Sequence, residues 1–135
     1  MRVVLDTNIL LASIGSRSAL RWVFDGLLDG RFVLVVSTAI LLEYEEVIAR
    51  RTTPEVGDGV LRALLSLPSV EHVVPRFRWR LPPGDPDDEK FVDALLAAGA
   101  DALVTHDAHF DGLVGLGFPP VRILSAEAFR AALGL

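Results

Sequence analysis

The chain has 135 residues, 51% of them hydrophobic and 23% charged, with no cysteine, which suits one domain with one core and is too apolar for a disordered chain. The absence of Cys excludes a disulfide scaffold, a thiolate zinc site, an iron–sulfur cluster and a cysteine nucleophile. A formal net charge of −5 excludes grip on nucleic acid by bulk charge, so such a partner would need a local basic patch or bound cations.

Short apolar runs alternate with helical periods along the chain. Val-Val-Leu at 3–5 ends in Asp6 and reads as a buried strand. Residues 18–28 carry Leu20, Val23, Phe24, Leu27 and Leu28 at helical spacing. Residues 32–36 make a second buried strand. Ser37 or Thr38 can cap the helix that follows, which is expected to run to about Arg51. Thr53-Pro54-Glu55 starts another helix, a cap with proline in the first turn and an acid beside it, ending before Pro68. Residues 70–74 form a weak strand, and 75–84, rich in Pro and Arg, form a loop. Asp85-Pro86 opens a helix that ends near Gly99. Residues 102–105 and 121–124 are strands, and Ser125 caps a short last helix.

Strands separated by helices pair in parallel through right-handed crossovers. Their continuous apolar runs suit a sheet covered on both faces. The expected fold is therefore α/β, a three-layer α/β/α sandwich with a central, mainly parallel sheet of about five strands, in a single domain over 1–135. The most apolar stretch, 32–42, is too short to span a bilayer. Asp6 cuts the N-terminal apolar run too early for a signal peptide. The expected location is the cytoplasm, with no membrane partner.

Ligands of open parallel sheets bind beyond the carboxyl ends of the strands, and two strands here end in acid, at Asp6 and Asp107. Either acid alone reads equally well as an Asx turn or a helix cap. On the helix from Pro86, Phe91, Val92, Leu95 and Leu96 form the apolar stripe. Asp88 falls within that stripe, where an isolated carboxylate is costly, while Asp93 falls away from it and is expected to be solvated. On the helix after Ser37, Ile40, Leu41, Tyr44, Val47 and Ile48 form the buried face, which Glu43 flanks.

If Asp6, Glu43, Asp88 and Asp107 meet, each close carboxylate pair about 5 Å apart repels by roughly 3 kcal/mol at an effective dielectric near 20. Raised pKa values or a bound divalent cation would relieve this. Oxygen ligands without Cys, and without a helix-borne His pair, point to Mg²⁺ or Mn²⁺. Such an ion can aim an activated water at phosphorus, so phosphodiester hydrolysis is the natural chemistry.

The residues Val-Val-Leu-Asp6-Thr7-Asn8, Ser37 with Glu43, Asp85 through Phe91 leading to Ala98-Gly99-Ala100-Asp101, and Leu103-Val104-Thr105-His106-Asp107 resemble, in this order, the PIN-domain nucleases. The chain looks like the toxin half of a VapBC-type toxin–antitoxin pair. By that resemblance Asp6, Glu43, Asp88 and Asp107 are the catalytic, metal-binding quartet, and Asn8 and Thr105 help orient Asp6 and the metal waters. The resemblance implies a Mg²⁺- or Mn²⁺-dependent ribonuclease, usually a homodimer, inhibited by a small antitoxin protein inserted into its groove. His106 departs from the Gly or Arg of many relatives, and its simplest place is in solvent. His72 and His109 form no pair by spacing. Asp93 and Asp111 rank below the quartet as supporting acids.

RNA would need local positive charge. Arg17 and Arg21 follow the Asp6–Asn8 loop and could line the mouth of the groove, and Arg76, Arg78 and Arg80 interleave with Phe77 and Trp79. The latter segment could grip phosphates and stack a base, or be a solvated loop with its aromatics folded back. Lys90 is the only lysine. A haloacid-dehalogenase-type phosphatase wants a second Asp where Asn8 stands, and a receiver domain wants an acidic pair and a late-strand Lys. Glycine-rich phosphate loops and a Gly-x-Ser-x-Gly elbow are absent. A catalytically inactive PIN-like module that binds RNA or a partner remains the non-enzymatic alternative.

Overall fold

The computed structural model describes residues 1–79, 86–114 and 121–135. Its elements in chain order are β1 (Arg2–Leu5), α1 (Thr7–Ser13), α2 (Arg21–Leu28), β2 (Val33–Val36), α3 (Thr38–Arg51), α4 (Pro54–Ser66), β3 (Val70–His72), α5 (Pro86–Ala98), β4 (Ala102–Val104), a 3₁₀ turn (Ala108–Phe110), α6 (Asp111–Val114), β5 (Ile123–Leu124) and α7 (Ala126–Leu133). The strands form a five-stranded sheet in the order β3-β2-β1-β4-β5, with every pairing parallel. The connections from β1 out to β3 step one way and those from β3 to β4 and β5 step back. Right-handed crossovers put the two sets on opposite faces, which makes the three-layer sandwich. β1 and β4 are direct neighbours, with Leu5 opposite Val104.

That pairing marks the topological switch point, where the chain order reverses on either side of β1 and a crevice opens at the carboxyl edge. Val3, Val4 and Leu5 of β1 and Ala102, Leu103 and Val104 of β4 have no exposed surface. Their burial on both faces explains runs that do not alternate. The expected caps hold. Ser37 Oγ accepts the Ile40 amide, Thr53 Oγ1 that of Val56 and Ser125 Oγ that of Ala128, each satisfying an orphan donor of a first turn. Gly99 closes α5 at a positive φ of 60°, where a side chain would strain the turn.

Three expectations needed correction. The Asp6-Thr7-Asn8 segment is no loop, because α1 begins at once with Thr7. Arg17 and Arg21 therefore follow a helix. β3 stops at His72, since Val73 makes its amide bond to Val36 and the chain then leaves the sheet. Asp93 is buried, at 8% exposure. Residues 91–95 of α5 are all buried, because the helix packs on β1, β2 and β4 while the segment after β3 covers its outer side. Asp93 Oδ1 there accepts the Trp79 amide at 3.0 Å. Among the described residues, no helix is long and apolar enough to cross a membrane.

Candidate functional site

Asp6 follows the last residue of the central strand and stands at the N-cap of α1, yet its carboxylate makes no cap hydrogen bond there beyond its contact with the Thr7 backbone. Its Oδ2 instead accepts the Thr105 hydroxyl at 2.7 Å. Thr105 is the residue after β4, and its Oγ1 also accepts the Asp107 amide at 2.9 Å. One hydroxyl thus ties together the two acids that end neighbouring strands. Burial raises the Asp6 carboxyl above its ordinary range, the bonds from Thr105 and the Thr7 backbone oppose that rise, and the charges of Asp107 and Glu43 add to it.

Glu43 comes from α3 and joins the cluster with both oxygens engaged. Oε2 accepts the Thr7 hydroxyl and Oε1 accepts the Lys90 ammonium. Next to it, the buried Tyr44 hydroxyl donates to the Leu5 carbonyl at 2.5 Å, fixing α3 against the end of β1. Burial raises the phenol well above its ordinary pKa, and the charges of Asp6 and Glu43 reinforce this.

Asp107 Oδ1 accepts the His109 amide at 2.9 Å, capping the 3₁₀ turn. That turn folds the His109 ring back, so Nδ1 lies 3.3 Å from Asp107 Oδ1 and 3.9 Å from Asp88 Oδ2. Asp88, Asp107 and His109 each offer a donor atom, and these atoms lie within 4.8 Å of one another. Two carboxylates with one imidazole nitrogen could hold a divalent cation. Asp88 and Asp107 thus come together with His109, Asp107 is tied to Asp6 through Thr105, and Glu43 acts on Asp6 through its charge; among the described residues Asp6 and Glu43 stand outside the three-donor group.

Other candidates sort differently. Asn8 is exposed and lines a cavity of about 270 Å³ with Asp6, Ala12, His106 and Asp107. His106 does more than face solvent. Its Nε2 accepts the Ala126 amide at 3.1 Å at the start of α7 and lies 3.3 Å from Glu127. The Arg21 guanidinium is tied into its own helix by Asp25 at 2.9 Å and the Ile14 carbonyl at 2.7 Å, and lies over Phe24. Arg17, Arg76 and Arg78 are exposed, as is Asp111. Arg80 lies outside the described residues, as does Asp85.

Sequence reasoning missed three groups. Thr7 passed as a turn residue, His109 as an isolated surface histidine, and Lys90 was noted only for its rarity. The usable signal for Lys90 was a lone lysine two residues from Asp88, and for His109 its place two residues after Asp107.

A cleft of about 450 Å³ adjoins the Lys90 side, lined among others by Ser37, Pro75, Phe77, Arg78, Lys90 and Asp93. Phe77 is 74% exposed, with its ring centroid 6.1 Å from that of Trp79.

The family model for the PIN domain matches residues 2–109. The chain belongs to the PIN domain family. Its membership sets aside the dehalogenase-type alternative. A search of curated proteins finds no match. Among solved structures, this PIN domain is similar to VapBC2 from Rickettsia felis bound to a DNA fragment from its promoter, with a TM-score of 0.62 at 19% identity over 93% of this chain and 98% of that one. It is also similar to DNA-bound VapBC from Salmonella typhimurium, with a TM-score of 0.60 at 17% identity over the same shares. At such identities the likeness shows a shared fold.

Proposed function

We propose that this PIN domain protein is a Mg²⁺- or Mn²⁺-dependent endoribonuclease and the toxin half of a toxin–antitoxin pair. The observation that carries the reading is Asp6, a nearly buried carboxylate at the switch point, withheld from helix capping and set against the charges of Asp107 and Glu43. Such an arrangement is unfavourable without a cation, and its natural use is to hold one.

Asp88 and Asp107 with His109, and Asp6 beside them, would hold the ion, with Glu43 at the flank. When bound, the ion supplies an activated water and neutralises charge on the scissile phosphate. Thr105 fixes the Asp6 carboxylate by its hydroxyl, and Asp107 through its amide. The neighbouring cleft would take the RNA, with Phe77 stacking a base and Arg76 and Arg78 meeting phosphates. The VapBC fold neighbours support an antitoxin protein as partner; the working unit would be a homodimer, in the cytoplasm.

Labelled single-stranded RNA incubated with Mg²⁺, Mn²⁺ or chelator tests this. Cleavage that needs the ion and disappears in Asp6→Asn is the expected result. RNA left intact under every condition, with a partner or RNA still bound, would replace the nuclease with an inactive binding module.

A further inference from the structure

The acidic cluster has a cation beside it. Lys90 reaches from α5 to Glu43 Oε1, and the side chains of both residues are only 21% exposed. The second oxygen of Glu43 is taken by Thr7. Asp88, two residues earlier on the same helix, approaches His109 and Asp107 instead. Residues two apart on a helix do not face each other, so α5 delivers an acid to one side of the cluster and an ammonium to the other. Every other basic side chain apart from the histidines is arginine. This position alone has the compact, flexible charge of a lysine.

We propose that Lys90 is a built-in monovalent cation that fills the Glu43 side of the cluster, so that the site takes a single divalent ion on the side of Asp6, Asp88 and Asp107. The proposal rests on the metal-dependent reading above. A divalent ion bound through Glu43 would have to share that carboxylate with the ammonium, like charges in a pocket that screens them poorly. By leaving no unpaired oxygen on Glu43, Lys90 removes the carboxylate that a second divalent ion would need on that side. Glu43 is then a positioning residue, holding Lys90 and Thr7 in place.

Titration of the purified protein with Mn²⁺ alone, followed by calorimetry and by the electron paramagnetic resonance of free Mn²⁺, tests this without RNA. Wild type and Lys90→Arg are expected to bind one ion per chain. Lys90→Gln, which releases Glu43, is expected to gain a second. The charge-neutral pair Glu43→Gln with Lys90→Gln leaves no unpaired carboxylate if the single variant fails to fold. It should keep one ion with little change in affinity, whereas loss of a group that directly supports a ligand typically costs about 10–100-fold. Two ions in wild type, one ion in folded Lys90→Gln, or a loss of that size in the pair variant would overturn the assignment while leaving metal dependence standing. No ion bound by wild type would remove the metal-dependent reading itself.

Discussion

The Thr105 hydroxyl donates to Asp6 at 2.7 Å and receives the Asp107 amide at 2.9 Å, so one side chain sets the relation between the ends of β1 and β4. Thr105→Val keeps the shape and removes both bonds. Loss of a buried partner costs about 1–3 kcal/mol, so thermal denaturation should show a lower Tm and RNA cleavage should drop. Thr105→Ser should restore most of both. A Val variant with unchanged activity would remove Thr105 from the site.

The Asp6 carboxyl is raised above the ordinary 3.8, chiefly by burial. A pKa raised by folding makes the group stabilising while protonated, intact below its unfolded value and lost as pH climbs through its folded one. Metal-free protein should therefore lose this contribution with rising pH. Asp6→Asn, which stays neutral, should gain Tm over wild type by an amount that grows from about pH 4 upwards. A difference independent of pH would contradict the crowding of charge around Asp6.

His109 adds an imidazole nitrogen to a set of carboxylates, and nitrogen donors favour Mn²⁺ over Mg²⁺. His109→Ala should weaken Mn²⁺ binding while leaving Mg²⁺ binding nearly unchanged, as measured by calorimetry. Equal losses for both ions would mean that His109 acts only through Asp107.

Tyr44→Phe removes the donor to the Leu5 carbonyl and leaves that oxygen without its phenol partner. The cost should be about 1–3 kcal/mol in denaturant unfolding. Cleavage should also fall, because the Leu5 carbonyl immediately precedes Asp6. Lost stability with full activity would separate this bond from the site.

Phe77 and the two exposed arginines should contribute to RNA affinity in different ways. Replacing Arg76 and Arg78 by Ala should weaken binding and reduce its salt slope by roughly the number of phosphates released. Phe77→Ala should weaken binding by about 1–3 kcal/mol with the slope intact. Identical slopes in all three proteins would take the arginines out of the RNA path.

The parts legible in the sequence were those set by local chemistry. Strands that end in acid, Ser37, Thr53 and Ser125 as caps, and the Asp88 stripe all follow from spacing and side-chain type. Asp93 was misread because periodicity assumes one buried face, and α5 is covered on its second side by residues arriving from β3. The helix at Thr7 was hidden because Asp6, Thr7 and Asn8 are turn formers, and only the pull of Thr105 on Asp6 shows that Asp6 is not spent on a turn. Lys90 and His109 meet their partners across elements far apart in the chain, a relation that no window of spacing contains.

The register that sets Leu5 beside Val104 gives the molecule a division of labour. Separation of its two strand-end acids is dictated by main-chain bonding in the least yielding part of the protein. The aromatic and basic stretch beyond β3, in contrast, is held to α5 by contacts that include one amide on Asp93. On the proposed function, substitutions in that outer stretch would alter target preference while the two strand-end acids stay in register.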